Sequence, residues 1–128
     1  MNTRVEEFGA RVVPAFTAGS DSQLITIAIL ARADGVVLPP HFVFKGQPGE
    51  DVEKEVQSYV PHLMATSSVQ ENAWFDERVM LEWIETAYQP NVSGYSVLLL
   101  DILELHKMAS VQDALGDIGT SVHYVPPG

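Results

Sequence analysis

Between Gln23 and Ala31 the chain reads QLITIAILA, β-branched and nearly all apolar. A strand of this kind has no polar face to give to water and is suited to cover on both sides. Asp34-Gly35 follows, a tight-turn signal. Val36 to Leu38 and then His41 to Phe44 read as the returning strand, with Pro39-Pro40 denying it ladder donors in between. The segment 24–44 is therefore predicted to be a hairpin, and the rest of the chain must supply its cover.

That cover is legible in periodicity. Val52, Val56, Tyr59 and Val60 recur at helical spacing until Pro61, which allows about three turns at most. Residues 61–73 show no period and read as irregular. From Asp76 a single apolar stripe appears: Val79, Met80, Trp83, Ile84, Ala87 and Tyr88, closed by Pro90. Tyr95 to Leu100 is a short apolar strand ending at Asp101. Ser110 and Asp113 resemble a capping-box start for a last helix with Val111, Ala114, Leu115 and Ile118 on its stripe. Gly119 is its predicted C-terminal cap, and Ser121 to Val125 the final strand. The order β-β-(α)-α-β-α-β gives an α/β domain with a mixed sheet, since each βαβ crossover makes its strands parallel.

At 128 residues the whole chain, 1–128, reads as a single domain, with no repeat or low-complexity tract. Hydrophobic residues at 46% and charged ones at 19% supply one core and exclude a disordered chain. The absence of cysteine excludes disulfides, a cysteine zinc site and a thiol nucleophile. Seven Lys+Arg against seventeen Asp+Glu give −10. So few cations, scattered from Arg4 to Lys107, do not assemble the basic face that duplex DNA binding draws on. The expectation is weak or no DNA binding. The N-terminus lacks the apolar core of a signal peptide, and no apolar run approaches the roughly 20 residues of a membrane span. An intracellular location, nucleus or cytoplasm, with no membrane partner, is expected.

Among residues that could carry chemistry, Asp101 stands out. It follows Val97 to Leu100 directly, at the carboxyl end of a buried strand, where open α/β sheets collect ligands. Taken alone, an Asp there reads first as a turn-capping loop residue. His106 is a candidate to support it from behind, or a surface histidine beside Lys107. Glu50, Asp51, Glu53 and Glu55 could face a metal or a basic partner, but they read first as the solvated face of a short helix. Trp74, Phe75 and Trp83 could stack on bases, and Trp83, being on the stripe, belongs to the core. Gly46-x-x-Gly49 is too short a signal for a phosphate loop, and no P-loop, dinucleotide fingerprint or Ser–His–Asp order is present.

The pattern resembles a known family. Ile25 to Gly35 (ITIAILARADG) followed by Leu38 to Gly46 (LPPHFVFKG) is similar to the characteristic block of DDE superfamily endonucleases, the pogo/Tigger/jerky-type transposases and host proteins derived from them. Gln70 to Trp83, Leu98 to Asp101 with His106-Lys107, and Val122 to Gly128 resemble the same family in the same order. The matches are collinear from about Val5 to Gly128. The resemblance implies an RNase H-like mixed sheet with flanking helices. It also implies three acids holding two divalent metals that activate water against a phosphodiester.

On that resemblance Asp101 corresponds to the second acid, and His106 to a supporting residue. The first acid would lie on a strand before Met1 and the third beyond Gly128, so the RNase H-like fold is expected in truncated form, without its first catalytic strand and C-terminal part. Ile102 to Leu105 also replace the small or polar residues usual between the Asp and the His. A lone carboxylate holds a metal weakly if at all, and Asp101 is then a vestigial catalytic residue. No cofactor is required, and Mg²⁺ or Mn²⁺ enters only if nuclease activity survives. The first reading is an inactive transposase-derived domain serving as a binding or self-association module. The others are a core piece of a metal-dependent DNA nuclease, and a small acidic partner-binding regulator. The expected partner is a second copy (a homodimer) or another protein. The sheet's missing centre would be filled either by residues 11–16, despite Pro14, or by that second copy.

Overall fold

The computed structural model describes residues 6–16, 23–60, 64–101 and 108–125. In chain order the elements are β1 (Glu6–Phe16), β2 (Gln23–Arg32), β3 (His41–Lys45), α1 (Asp51–Tyr59), β4 (Thr66–Gln70), α2 (Glu77–Trp83), β5 (Ser96–Leu100), α3 (Ala109–Asp117) and β6 (Thr120–Tyr124). The predicted hairpin is present, with β2 and β3 antiparallel from Ile25↔Phe44 to Ala28↔His41. Its turn is built by Asp34, whose carboxylate accepts the Val36 amide and pairs with Arg32, and by Gly35 at φ +91°. The di-proline interrupts the return as expected, leaving an isolated bridge, Ala31↔Val37, ahead of β3.

All six strands form one sheet in the order β4-β3-β2-β1-β5-β6. β1 is antiparallel to β2 and parallel to β5, so it occupies the centre. The mixed sheet with flanking helices is of RNase H-like type. Of the two ways of filling its centre, the intramolecular one is realised, over Glu6–Phe16 rather than residues 11–16 alone. Pro14 is tolerable because the rungs to β5 stop at Ala10↔Leu100. Beyond that rung β1 has only β2 as a described neighbour, and Pro14 stands opposite Thr26. β4 corrects the reading of 61–73 as irregular throughout: Thr66 to Gln70 pair in parallel with His41 to Lys45.

The core lies on one face of the sheet. Ala28, Leu30, Leu98 and Leu100 meet Met80, Trp83, Ile84, Ala87, Tyr88, Val111 and Leu115 there. All six residues of the predicted stripe are buried. They come as pairs every four residues, a spacing that drifts about 40° per repeat around a regular α-helix. The chain absorbs the drift by widening into a π turn over Ile84–Tyr88, which keeps Ala87 and Tyr88 facing inward. Trp83 and Tyr88 then stack at 5.4 Å, and a 3₁₀ turn containing Pro90 ends the segment.

Two caps behave differently. Asp76 is the N-cap of α2, its Oδ1 accepting the Val79 amide at 2.9 Å while its Oδ2 accepts from the Gln70 side chain at 3.1 Å. Replacing it by Ala is expected to lower the unfolding free energy by about 1 kcal/mol, readable as a shifted urea midpoint. The capping box predicted at Ser110 is not formed. α3 begins at Ala109 with Met108 in the cap position, and the Ser110 hydroxyl donates instead to Glu77 at the start of α2. Gly119, at φ +80°, does close α3 as predicted.

Candidate functional site at the carboxyl end of the sheet

Every strand except β2 runs in the same direction, because β3, β4, β5 and β6 inherit their sense from the antiparallel β1–β2–β3 turnabout and three parallel pairings. The last residues of β3, β4, β5 and β6 therefore share one end of the sheet, with the starts of α1, α2 and α3 following them. Asp101 sits there, exposed, one residue past the end of β5. Its neighbours are set by the rungs on either side. Leu100 pairs with Ala10 and with Tyr124, and the Val125 amide donates to the Leu100 carbonyl at 2.7 Å. Past its rung β1 continues with Arg11, Val12 and Val13, none of them an acid. His106 lies outside the described residues, as does the intervening Glu104.

The other candidates resolve along simpler lines. Glu50, Asp51 and Glu55 are exposed on or beside α1, and Glu53 accepts the Gly49 amide, so this run is a helix start and its solvated face. Gly46 packs where a Cβ would come within 2.9 Å of Val52, a packing role with no phosphate cradle implied. Trp83 is buried in the core as expected. Trp74 is 61% exposed at the sheet's carboxyl end. The loop beneath it is pinned by Gln70, whose Oε1 accepts the amides of Asn72 and Trp74.

A polar cluster that sequence reasoning missed lies inside the sheet. His41 is fully buried, its Nδ1 2.7 Å from the Thr66 hydroxyl and its Nε2 2.8 Å from the Ser68 hydroxyl. Phe75 meets the imidazole edge-on at 6.2 Å. Burial pushes the His41 pKa down to about 4, which keeps the ring neutral. The ring spans β3 and β4 and holds the edge strand through side chains as well as backbone. The signal was present in Thr66 and Ser68, alternate hydroxyls with the pleat's period of two, but a polar alternation does not register as a strand.

A family model described as DDE superfamily endonuclease matches residues 22–128. The chain belongs to this family. No curated protein and no solved structure matches it. The match begins one residue before β2, so β1, the central strand, comes from outside the matched segment. DDE nucleases work with divalent metals, and the donor set here can be tested against that requirement. A metal pair takes two or more protein carboxylates besides the substrate's phosphates. The described carboxyl end offers Asp101 with no acid on the adjoining stretch of β1, and among the described residues no three His, Asp or Glu side chains gather to hold an ion. The described residues of this DDE domain do not fit the metal pair, and no hydrolytic step is derived through it.

Proposed function

We propose that this DDE endonuclease domain does not cleave DNA and serves as a binding or self-association module derived from a transposase. The observation that carries this reading is the central strand. β1 completes the sheet beside Asp101 while bringing no carboxylate to its level, which supports a fold kept without a second metal ligand from its central strand. The net charge of −10 supports the same reading, because a polyanion is repelled at long range. Affinity for duplex DNA at physiological salt is expected to fall below the non-specific range of roughly 10⁻⁴–10⁻⁶ M.

Supercoiled and linear DNA incubated with the 128-residue protein and Mn²⁺ should show no nicking above a buffer control. Nicking that Asp101→Ala abolished would overturn the proposal. It would favour the second reading, a core piece of a metal-dependent nuclease, with enough ligands for the metal inside residues 1–128. That reading draws on one observation: Asp101 keeps the position at the end of a strand parallel to and beside the sheet's centre.

A further inference from the structure

We infer that the outer edge of β6 is a self-association surface, on which a second copy of this chain pairs antiparallel about a two-fold axis at Val122. The inference rests on the module reading above and names its partner. The two edges of the sheet are managed differently. On β4, the Val69 carbonyl accepts from the Arg78 guanidinium at 2.6 Å, and Arg78 is held in place by Glu82 at 2.7 Å. Helices pack against both edge strands, α1 and α2 against β4 and α3 against β6, so the difference lies in the backbone groups themselves. No described strand lies beyond β6.

Backbone bonds show which groups β6 leaves open. Ser96 donates to the Gly119 carbonyl and Val125 donates to the Leu100 carbonyl, so the odd-numbered residues 119 to 125 face β5. Amide groups alternate along a strand, which turns those of Thr120, Val122 and Tyr124 outward. Edge strands that avoid pairing carry lysine, proline or a bulge. Residues 120–124, Thr-Ser-Val-His-Tyr, carry none of these and no carboxylate.

A second copy fits this edge by symmetry. With the axis at Val122, the outward amides of the two Val122 residues bond reciprocally, and Thr120 bonds opposite the partner subunit's Tyr124. Ser121 then stands opposite the partner subunit's His123 in a pair without backbone bonds, where side chains approach most closely. Ser121 and His123 are both exposed, and a hydroxyl and an imidazole can bond to each other. Because both copies use the same edge about the two-fold axis, this pairing closes as a dimer. The carboxylates of two −10 chains are kept off the shared strands, and physiological salt screens beyond about 8 Å.

Sedimentation equilibrium of the whole chain from tens to hundreds of micromolar tests the inference. The weight-average mass should climb from 14.0 kDa toward twice that value. Hydrogen exchange of the Val122 and Tyr124 amides should slow severalfold over the same range, while the Ser121 and His123 amides stay slow throughout. The double substitution Ser121→Lys with His123→Lys, on exposed positions, should hold the mass at 14.0 kDa with an unchanged circular dichroism spectrum. A monomer across the range overturns the inference, as does association that the double variant leaves intact or that leaves the two amides unprotected. None of these outcomes bears on DNA cleavage, so the two proposals fail separately.

Discussion

Removal of residues 1–16 is expected to abolish the folded state. β1 carries the ladder to β2 from Phe8 to Phe16 and the ladder to β5 from Glu6 to Ala10. Without it the sheet parts into β4-β3-β2 and β5-β6, and the strands bordering the gap stand two spacings apart, about 10 Å. The core does not survive that division, because Ala28 and Leu30 lie on one side of the gap and Leu98 and Leu100 on the other. Both ladders are lost together, and their loss is set against a whole-domain stability of only about 5–15 kcal/mol. The family-matched segment 22–128 expressed alone should show no cooperative urea transition and poorly dispersed amide resonances. A sharp transition from that fragment would show that β1 is dispensable and the sheet's centre is filled some other way.

Acidification should weaken the intact protein through His41. Its folded-state pKa of about 4 lies below the ordinary value of 6.5, so between these two values the unfolded chain takes up the proton more readily. The stability contributed by the neutral ring is complete above pH 6.5 and is lost as pH falls toward 4. Over that window the loss is on the order of 3 kcal/mol. Urea melts at pH 7, 5.5 and 4 read it directly. The same melts on His41→Gln, whose amide can still reach the Thr66 and Ser68 hydroxyls, should lack this component while keeping whatever the carboxylates contribute. Parallel pH curves for the two proteins would assign the acid sensitivity elsewhere.

How far the residues announced this structure depends on the kind of signal each element carries. The hairpin and the helical stripe were legible because their apolar residues recur with the period of the element that buries them. β4 was not, because its inward positions hold Thr66 and Ser68 in the service of His41, and a hydrophobic pattern cannot show hydroxyls bonding to a buried ring. β1 contains Gly9 and Pro14, which mark a broken strand unless the pairing that ends at Ala10↔Leu100 is known. Ser110 carried a capping signal that Glu77 claims across a tertiary contact. Asp101 was legible from a buried run ending in a carboxylate. Its isolation depends on which strand adjoins β5, a fact of topology that spacing in the sequence does not contain.

The sheet's central pairing also governs when this protein can fold. β1 leaves the ribosome well before its parallel partner β5 is made. Glu6 meets Ser96 across about 90 residues of intervening chain. Until β5 emerges, β1 can pair with β2 alone and its other side waits uncovered. Closing so long a loop costs entropy before any long-range contact repays it, so the joining of β1 to β5 is expected to be the slow step of assembly, readable as a refolding phase that follows formation of the β1–β2 pair. The nascent chain is thus most open to mispairing in the interval between completing its hairpin and completing its fold.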